Sequence, residues 1–211
     1  MKVLRLILFA ICLTATPALA EPFGKWREQG FPMRPANSWT QSPQRANVSS
    51  DAAASLIWTR TAHAQTNATT ASWAWSVQTS VPATTLTQKG RDDRNLALFF
   101  VFLPPKLAEK HQTSGIQKLL SIKRARVLMY VWGGDYARGA LIPSPHMKAR
   151  GKIIALRPAG TGEFRENVNL TADFTRAFGT PKPTLAGLAI LSDSDDSKTM
   201  IRANLSDLQL N

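Results

Sequence analysis

Cysteine is almost absent from this chain of 211 residues: the single one, Cys12, lies within the first 20 positions. A chain without a cysteine pair cannot form an internal disulfide, so its fold depends on burial of apolar side chains. Apart from Cys12, the chain has no residue that could supply a thiolate ligand to a metal or act as a cysteine nucleophile. Histidine is also scarce, and His63, His111 and His146 lack the spacing of a histidine zinc motif.

The common catalytic signatures are missing as well. The sequence has no Gly-x-Ser-x-Gly elbow and no Gly-x-x-x-x-Gly-Lys phosphate loop. Ser144 and His146 lie close together on an expected loop, but two loop residues do not define a catalytic triad without geometry. No nucleic-acid-binding motif occurs, so nucleic acid is not an expected partner.

No apolar run is long enough to cross a bilayer as a helix, which requires about twenty residues. Residues 1–20 instead have the features of a signal peptide: Lys2 and Arg5, an apolar run at 6–13, and Ala18-Leu19-Ala20 before the cleavage site. We expect cleavage after Ala20 and export to the periplasm or the exterior. The exported chain would then contain no cysteine.

Positive charge is concentrated in one part of the chain. The formal net charge is +12, and residues 106–152 contain ten Lys and Arg against only two acids, Glu109 and Asp135. Such a segment favours an anionic partner, such as an acidic envelope glycan or lipid head groups. The alternative is a solvated basic surface that only maintains solubility.

Periodicity predicts an all-β, mainly antiparallel fold. Trp73, Trp75 and Val77 alternate with small residues, which places them on one face of a strand and in the core. Residues 96–103 are apolar without interruption and predict a central strand covered on both faces. Residues 185–191 and 200–210 predict two further strands that form a closing hairpin across an Asp-rich turn.

Fewer helices than strands are expected. Residues 106–121 indicate one or two short helices, broken near Ser114 and Gly115, inserted at the edge of the sandwich. Thr171 is the expected cap of another helix that ends at Gly179. Residues 151–157 and 164–170 predict a hairpin. We expect a β-sandwich of the jelly-roll or galactose-binding-like type over residues 51–211, preceded by an irregular lead-in at 21–50.

Five segments in order resemble an uncharacterised exported bacterial family, domain of unknown function 3047 (DUF3047). They are ASWAWSV at 71–77, GRDDRNLALFFVF at 90–102, VLMYVWG at 127–133, DFTRAFG at 173–179 and AILSDSD at 189–195. The resemblance implies a periplasmic β-sandwich and no particular activity. Residues 203–210 also resemble the last strand of galactose-binding-like jelly rolls.

Two groups of residues are candidates for ligand contact. Trp132, Asp135 and Tyr136 combine aromatic rings with a carboxylate, a pattern that suits sugar rings, although such aromatics are also common in sandwich cores. Asp92, Asp93 and Arg94 precede the central strand. If Asp135 shares their rim, paired carboxylates could hydrolyse glycosidic bonds; local ion pairs with the flanking arginines are the alternative.

Asp193, Asp195 and Asp196 place three carboxylates within four residues. Hard cations such as Ca²⁺ take oxygen ligands from loops of this kind. The helix-loop-helix calcium pattern does not apply, because its glycine and glutamate positions are occupied by Lys198 and Asn204. The alternative is an Asp-rich turn whose side chains bond their own backbone.

We therefore expect a non-catalytic periplasmic module that binds an envelope glycan or another anionic polymer. Trp132, Tyr136 and the bases of residues 106–152 are its expected contacts. One alternative is a glycan-cleaving or glycan-modifying enzyme that uses Asp92, Asp93 or Asp135. Another is a structural or assembly protein of the cell envelope whose basic segment docks on an acidic partner.

Overall fold

The computed structural model describes the backbone of residues 19–20 and all of residues 22–211. Apart from Leu19 and Ala20, the predicted signal peptide lies outside the described residues. The described chain forms two stacked sheets with three short α-helices. The predicted class is confirmed: a mainly antiparallel β-sandwich of the jelly-roll type with few helices.

The two sheets have six and seven strands. In the six-stranded sheet the order is β11-β6-β13-β4-β3, and β1 also pairs with β13. Its strands are β1 (Leu19–Ala20), β3 (Ser38–Ser42), β4 (Arg45–Asp51), β6 (Thr70–Thr79), β11 (Gly162–Asn169) and β13 (Met200–Leu210).

The seven-stranded sheet has the order β2-β5-β12-β7-β8-β10-β9. Its strands are β2 (Arg27–Gly30), β5 (Ala54–Arg60), β7 (Arg94–Leu103), β8 (Arg126–Trp132), β9 (Leu141–Ser144), β10 (Lys148–Arg157) and β12 (Thr184–Asp193). Among the described strand pairs, β8 with β10 is parallel and the rest are antiparallel.

The main core lies between the two sheets and contains the predicted tryptophans. Trp73 and Trp75 are each 1% exposed, and the Trp73 ring packs against Phe100 and Tyr130. Strand β7 is central in its sheet and buried at every position, as its uninterrupted apolar sequence predicts. Alternate β7 residues face the inter-sheet core and a second core on the outer face of the sheet.

The outer core is closed by the predicted helical segment. Helices α1 (Pro105–Lys110) and α2 (Ile116–Ser121) are separated near Gly115, as expected. Their buried residues join an apolar cluster with β7 and β8, so the segment covers the outer face of the sheet rather than its edge. None of the helices in the described part of the chain is long and apolar enough to span a membrane.

Four local predictions differ from the structure. The expected hairpin of residues 151–157 and 164–170 does not form, because β10 belongs to the seven-stranded sheet and β11 to the other. Likewise, β12 and β13 lie in different sheets, so the Asp-rich segment between them crosses from one layer to the other. A turn that closes a hairpin and a turn that switches sheets use the same residue types.

A further difference concerns the N-terminal cap of α3 (Leu170–Phe178), the longest helix among the described residues. Asn169, not Thr171, caps it: the Asn169 side chain accepts a hydrogen bond of 2.9 Å from the backbone N–H of Ala172. Gly179, with φ of 68°, ends the helix as predicted. The expected irregular lead-in is also more ordered than predicted, since β2, β3 and β4 lie between residues 22 and 51.

Candidate functional site

The site assembles at one rim of the seven-stranded sheet, where β7 begins and β12 ends. Antiparallel pairing places Arg94 opposite Asp193. The sheet-switching segment after Asp193 therefore passes beside Asp92 and Asp93. Two groups of candidate residues, about one hundred positions apart in the sequence, form a single ionic cluster.

Arg94 lies at the centre of this cluster and is only 3% exposed. Its Nη2 donates to Asp92 and also to Asp193 Oδ2, the latter at 3.2 Å. Its Nε has no hydrogen-bond partner. A buried guanidinium shared by two buried carboxylates holds the two strand ends together, because leaving either charge unpaired would carry a large desolvation penalty.

His146 joins the cluster from the turn between β9 and β10, although the sequence had not marked it as a site residue. His146 Nε2 lies 2.9 Å from Asp92 Oδ2, and its side chain is 48% exposed. Burial disfavours the charged form of Asp92, but the hydrogen bond from His146 and the charge of Arg94 outweigh it, and the pKa of Asp92 is lowered. The sequence feature that could have identified His146 as a site residue was its position two residues after Ser144.

Asp93, Asp193 and Asp195 form a group of three buried carboxylates. Each contributes an oxygen, and the three oxygens lie within 4.8 Å of one another. Asp93 accepts hydrogen bonds from the backbone N–H groups of Asp196, at 3.3 Å, and Ser197, at 2.7 Å. Asp195 pairs with Arg34, a residue for which the sequence offered no signal.

The carboxylates of this group differ in their surroundings. Burial raises the pKa of Asp193 to about 8, assisted by Asp195 and Asp93 and opposed by Arg94. Asp193 Oδ1 has no hydrogen-bond partner. Asp196 is less buried, and burial together with Asp195 and Asp93 raises its pKa as well. Of the three predicted metal ligands, Asp193 and Asp195 are therefore clustered, and Asp93 rather than Asp196 completes the group.

A pocket of about 310 Å³ opens beside the cluster on the outer side of the sheet. Arg94, Asp193 and His146 lie in its lining, and Arg34 borders it. The remaining wall is largely apolar: it includes Phe31, Leu56, Phe99, Leu120, Met129 and Met147. Arg150 Nη1 donates to the carbonyl oxygens of Leu120 and Ile122, at 2.6 and 3.2 Å, which ties α2 to β10 beside the pocket.

The structure places Trp132, Asp135 and Tyr136, the predicted sugar contacts, differently from what the sequence suggested. Trp132 is 1% exposed and packs between the rings of Trp75 and Phe164, so neither face of its indole is open to a sugar. Tyr136 is half-buried and packs on the outer core. Asp135 is exposed at the same rim and makes no hydrogen bond or ion pair with a described residue. The pocket, not this trio, combines apolar and charged groups.

Part of the basic segment is close in sequence to residues of the pocket wall. Six of its cations are exposed and have no carboxylate of the described residues within ion-pair distance. They are Lys106, Lys110, Lys118, Lys123, Arg124 and Lys148. Lys118 and Lys123 flank Leu120, and Lys148 follows Met147, both of which line the pocket.

Fold and site together define a mainly antiparallel β-sandwich that carries a buried ionic cluster at one rim and a pocket beside it. The chain belongs to the family described as "Protein of unknown function (DUF3047)", whose model matches residues 24–209. The family resemblance seen in the sequence is thus confirmed.

Solved structures with a similar arrangement of strands are distant. The xyloglucanase domain of NopAA, a type three effector from Sinorhizobium fredii in complex with cellobiose, is 10% identical with a TM-score of 0.46, covering 88% of this chain and 90% of that chain. A loop-swap mutant of Xyn11A from Necallimastix patriciarum is 8% identical with a TM-score of 0.38, covering 88% and 99%. Likeness at this level assigns no activity. No curated protein matches the chain significantly.

Proposed function

We propose that this protein is a non-catalytic binding module of the cell envelope that recognises an acidic glycan. One sugar unit occupies the pocket beside Arg94, and anionic groups of neighbouring units contact the exposed lysines of the outer layer. The observation that carries this proposal is the pocket itself, in which a largely apolar wall meets the charged or polar side chains of Arg34, Asp193 and His146.

The chemistry of the pocket suits a sugar better than a purely apolar ligand. A sugar ring has an apolar face that can pack on Phe99 and Met129, and hydroxyl groups around its edge. One of these hydroxyl groups can hydrogen-bond to the half-exposed ring of His146, which lies in the pocket lining. The volume of about 310 Å³ is at the small end of ligand pockets and fits one ring rather than a chain.

The surrounding charge favours an acidic polymer over a neutral one. Lys118 and Lys123 lie within three residues of Leu120 in the pocket wall, and Lys148 follows Met147. All three lysines are exposed and have no carboxylate partner among the described residues. Exposed cations of this kind accelerate association with an anion and add little affinity at high salt. Binding should therefore be strong at low salt and weaken steeply as salt is added.

A glycan array with acidic and neutral envelope oligosaccharides, followed by calorimetric titration at low and high salt, tests the proposal. We expect acidic oligosaccharides to bind and neutral ones of the same length to bind at least tenfold more weakly. Failure of every acidic oligosaccharide to bind at low salt would remove the proposal. Release of new reducing ends during incubation would instead identify a glycan-cleaving enzyme.

Two charge-reversal variants locate the binding face. Lys118→Glu with Lys123→Glu should lower the affinity at low salt about tenfold or more. The matched control, Arg45→Glu with Arg202→Glu, makes the same charge change on the outer surface of the six-stranded sheet, where both arginines are exposed. If the control loses as much affinity as the first variant, the polymer binds the other face and the pocket is not its site.

A further inference from the structure

Buried negative charge exceeds buried positive charge at the rim. Asp92, Asp93, Asp193 and Asp195 are all less than 9% exposed. Arg34 and Arg94 are the cations that pair with them, together with the half-exposed His146. When all four carboxylates are ionised, they exceed the two arginines by two negative charges. Buried like charges a few ångströms apart are strongly unfavourable without a counter-charge.

One carboxylate oxygen in the cluster points independently to a missing partner. Asp193 is 7% exposed, and its Oδ1 has no hydrogen-bond donor, although its Oδ2 receives one from Arg94. Asp93, by contrast, is held by two backbone N–H groups, and Asp195 by Arg34. Buried acceptors in folded proteins nearly always have a partner, so Oδ1 of Asp193 requires one.

We propose that Asp93, Asp193 and Asp195 bind one divalent cation, and that Ca²⁺ is preferred over Mg²⁺. The cation neutralises the two excess charges and supplies the partner of Asp193. The three donors are carboxylate oxygens, which hard cations prefer to nitrogen or sulfur donors.

The number of carboxylates distinguishes between the two cations. Three carboxylate oxygens that lie within 4.8 Å of one another can share one ion, and Ca²⁺ commonly takes several carboxylates among its six to eight oxygen ligands. Mg²⁺ usually keeps several waters and is held by only one or two carboxylates of a protein. Water completes the coordination of an ion held by three carboxylates.

The ion can reach the cluster without entering the pocket proposed for the glycan. A separate surface cavity of about 210 Å³ is lined by Asp93, Asp196 and Ser197, together with Thr84, Gly90 and Arg91. Asp196 is partly exposed at this entrance and adds a fourth carboxylate near the path of the ion. The cation site shares Asp193 with the lining of the pocket, but Ca²⁺ binding is measured without a glycan, so failure of this proposal and failure of the proposed function give different results.

The test uses the purified chain after treatment with EDTA, titrated with CaCl₂ and, in parallel, with MgCl₂. We expect one Ca²⁺ per chain by calorimetry, weaker binding of Mg²⁺, and a melting temperature that rises with Ca²⁺ concentration, because a ligand bound only to the folded state stabilises it. No heat of binding and no change in melting temperature with Ca²⁺ would overturn the proposal.

Variants separate the cluster from general surface acidity. Asp193→Asn and Asp195→Asn should each lower the Ca²⁺ affinity at least tenfold. Glu109→Gln removes the same charge from an exposed acid on α1, without an ion pair among the described residues, and should bind Ca²⁺ like the wild type. Equal binding by all three variants and the wild type would assign the Ca²⁺ to another place. If one Asn variant fails to fold, the other variant and the wild-type titrations still decide.

Discussion

Arg94 and Asp193 lie opposite each other on neighbouring antiparallel strands, with Arg94 Nη2 at 3.2 Å from Asp193 Oδ2. The same nitrogen also donates to Asp92, two residues before Arg94. One guanidinium thus joins the beginning of β7 to the end of β12. It also positions the carboxylates that border both the pocket and the proposed cation site.

Replacing Arg94 with methionine should destabilise the protein by about 3–5 kcal/mol, because buried carboxylates lose their counter-charge while the apolar volume is kept. The free energy of unfolding in urea measures this effect. Arg165→Met is the matched control, since the pair of Arg165 with Asp207 is 77% and 43% exposed and should contribute less than about 1 kcal/mol. Equal losses in the two variants would contradict a central role for Arg94.

Gly133 is the position where the backbone must pass close to Arg94. A Cβ atom there would lie 2.8 Å from Arg94 Cβ and 3.0 Å from Arg94 Cα. Gly133→Ala should therefore displace the strand end and destabilise the fold by about 1–3 kcal/mol. In Gly30→Ala the new Cβ meets nothing within 4 Å, so its melting temperature should change little. A Gly133→Ala melting temperature equal to that of Gly30→Ala would show that the rim adapts freely.

Glu166, on β11, links the two sheets through Arg157, on β10. Its buried carboxylate accepts hydrogen bonds from Trp75 Nε1 at 3.2 Å, Arg157 Nε at 2.8 Å and Arg138 Nη2 at 2.6 Å. In Glu166→Ala the two arginines can still reach water, but the indole N–H of the fully buried Trp75 cannot. We expect a loss of about 1–3 kcal/mol in urea unfolding.

The exposed Glu163, on the same strand, is the control for Glu166. Glu163→Ala should leave the unfolding free energy within about 0.5 kcal/mol of the wild type. If Glu166→Ala behaves in the same way, water must enter beside Trp75 and replace the carboxylate.

Tyr130 is expected to remain protonated for as long as the chain is folded. Burial is the main cause that raises its pKa far above the ordinary value of 10.0, and the charge of Asp173, which accepts its hydroxyl hydrogen bond at 2.8 Å, adds to it. A raised phenol pKa contributes stability that is present below pH 10 and is lost as the pH rises further.

Ultraviolet titration of a Tyr136→Phe variant measures this directly, because the chain has two tyrosines and the variant leaves Tyr130 alone. Tyrosinate absorbance should appear together with the alkaline unfolding transition followed by circular dichroism. Reversible ionisation of Tyr130 in a chain that is still folded would contradict the buried Tyr130–Asp173 arrangement.

The periodicity of apolar side chains was sufficient to predict the fold class and the burial of much of the core. Trp73 and Trp75 alternate with small residues, and strand alternation follows from local backbone geometry, so their burial was predictable. The apolar run that forms β7 and the two short helices before β8 were predictable for the same reason. The lack of disulfides also follows from the residues of the described chain alone.

Strand neighbours and the site depended on contacts between distant parts of the chain. Local patterns show which face of a strand is apolar, but not which sheet the strand joins, and β10, β11, β12 and β13 were therefore paired incorrectly. Trp132 was a candidate sugar contact because the residues around it do not show whether its ring lies at the rim of the sheet or in the core. Asp93 meets Asp193 and Asp195, and His146 meets Asp92, only because antiparallel pairing and a change of sheet bring their backbones to one rim. Such encounters depend on packing across the whole sandwich, which no short stretch of residues encodes.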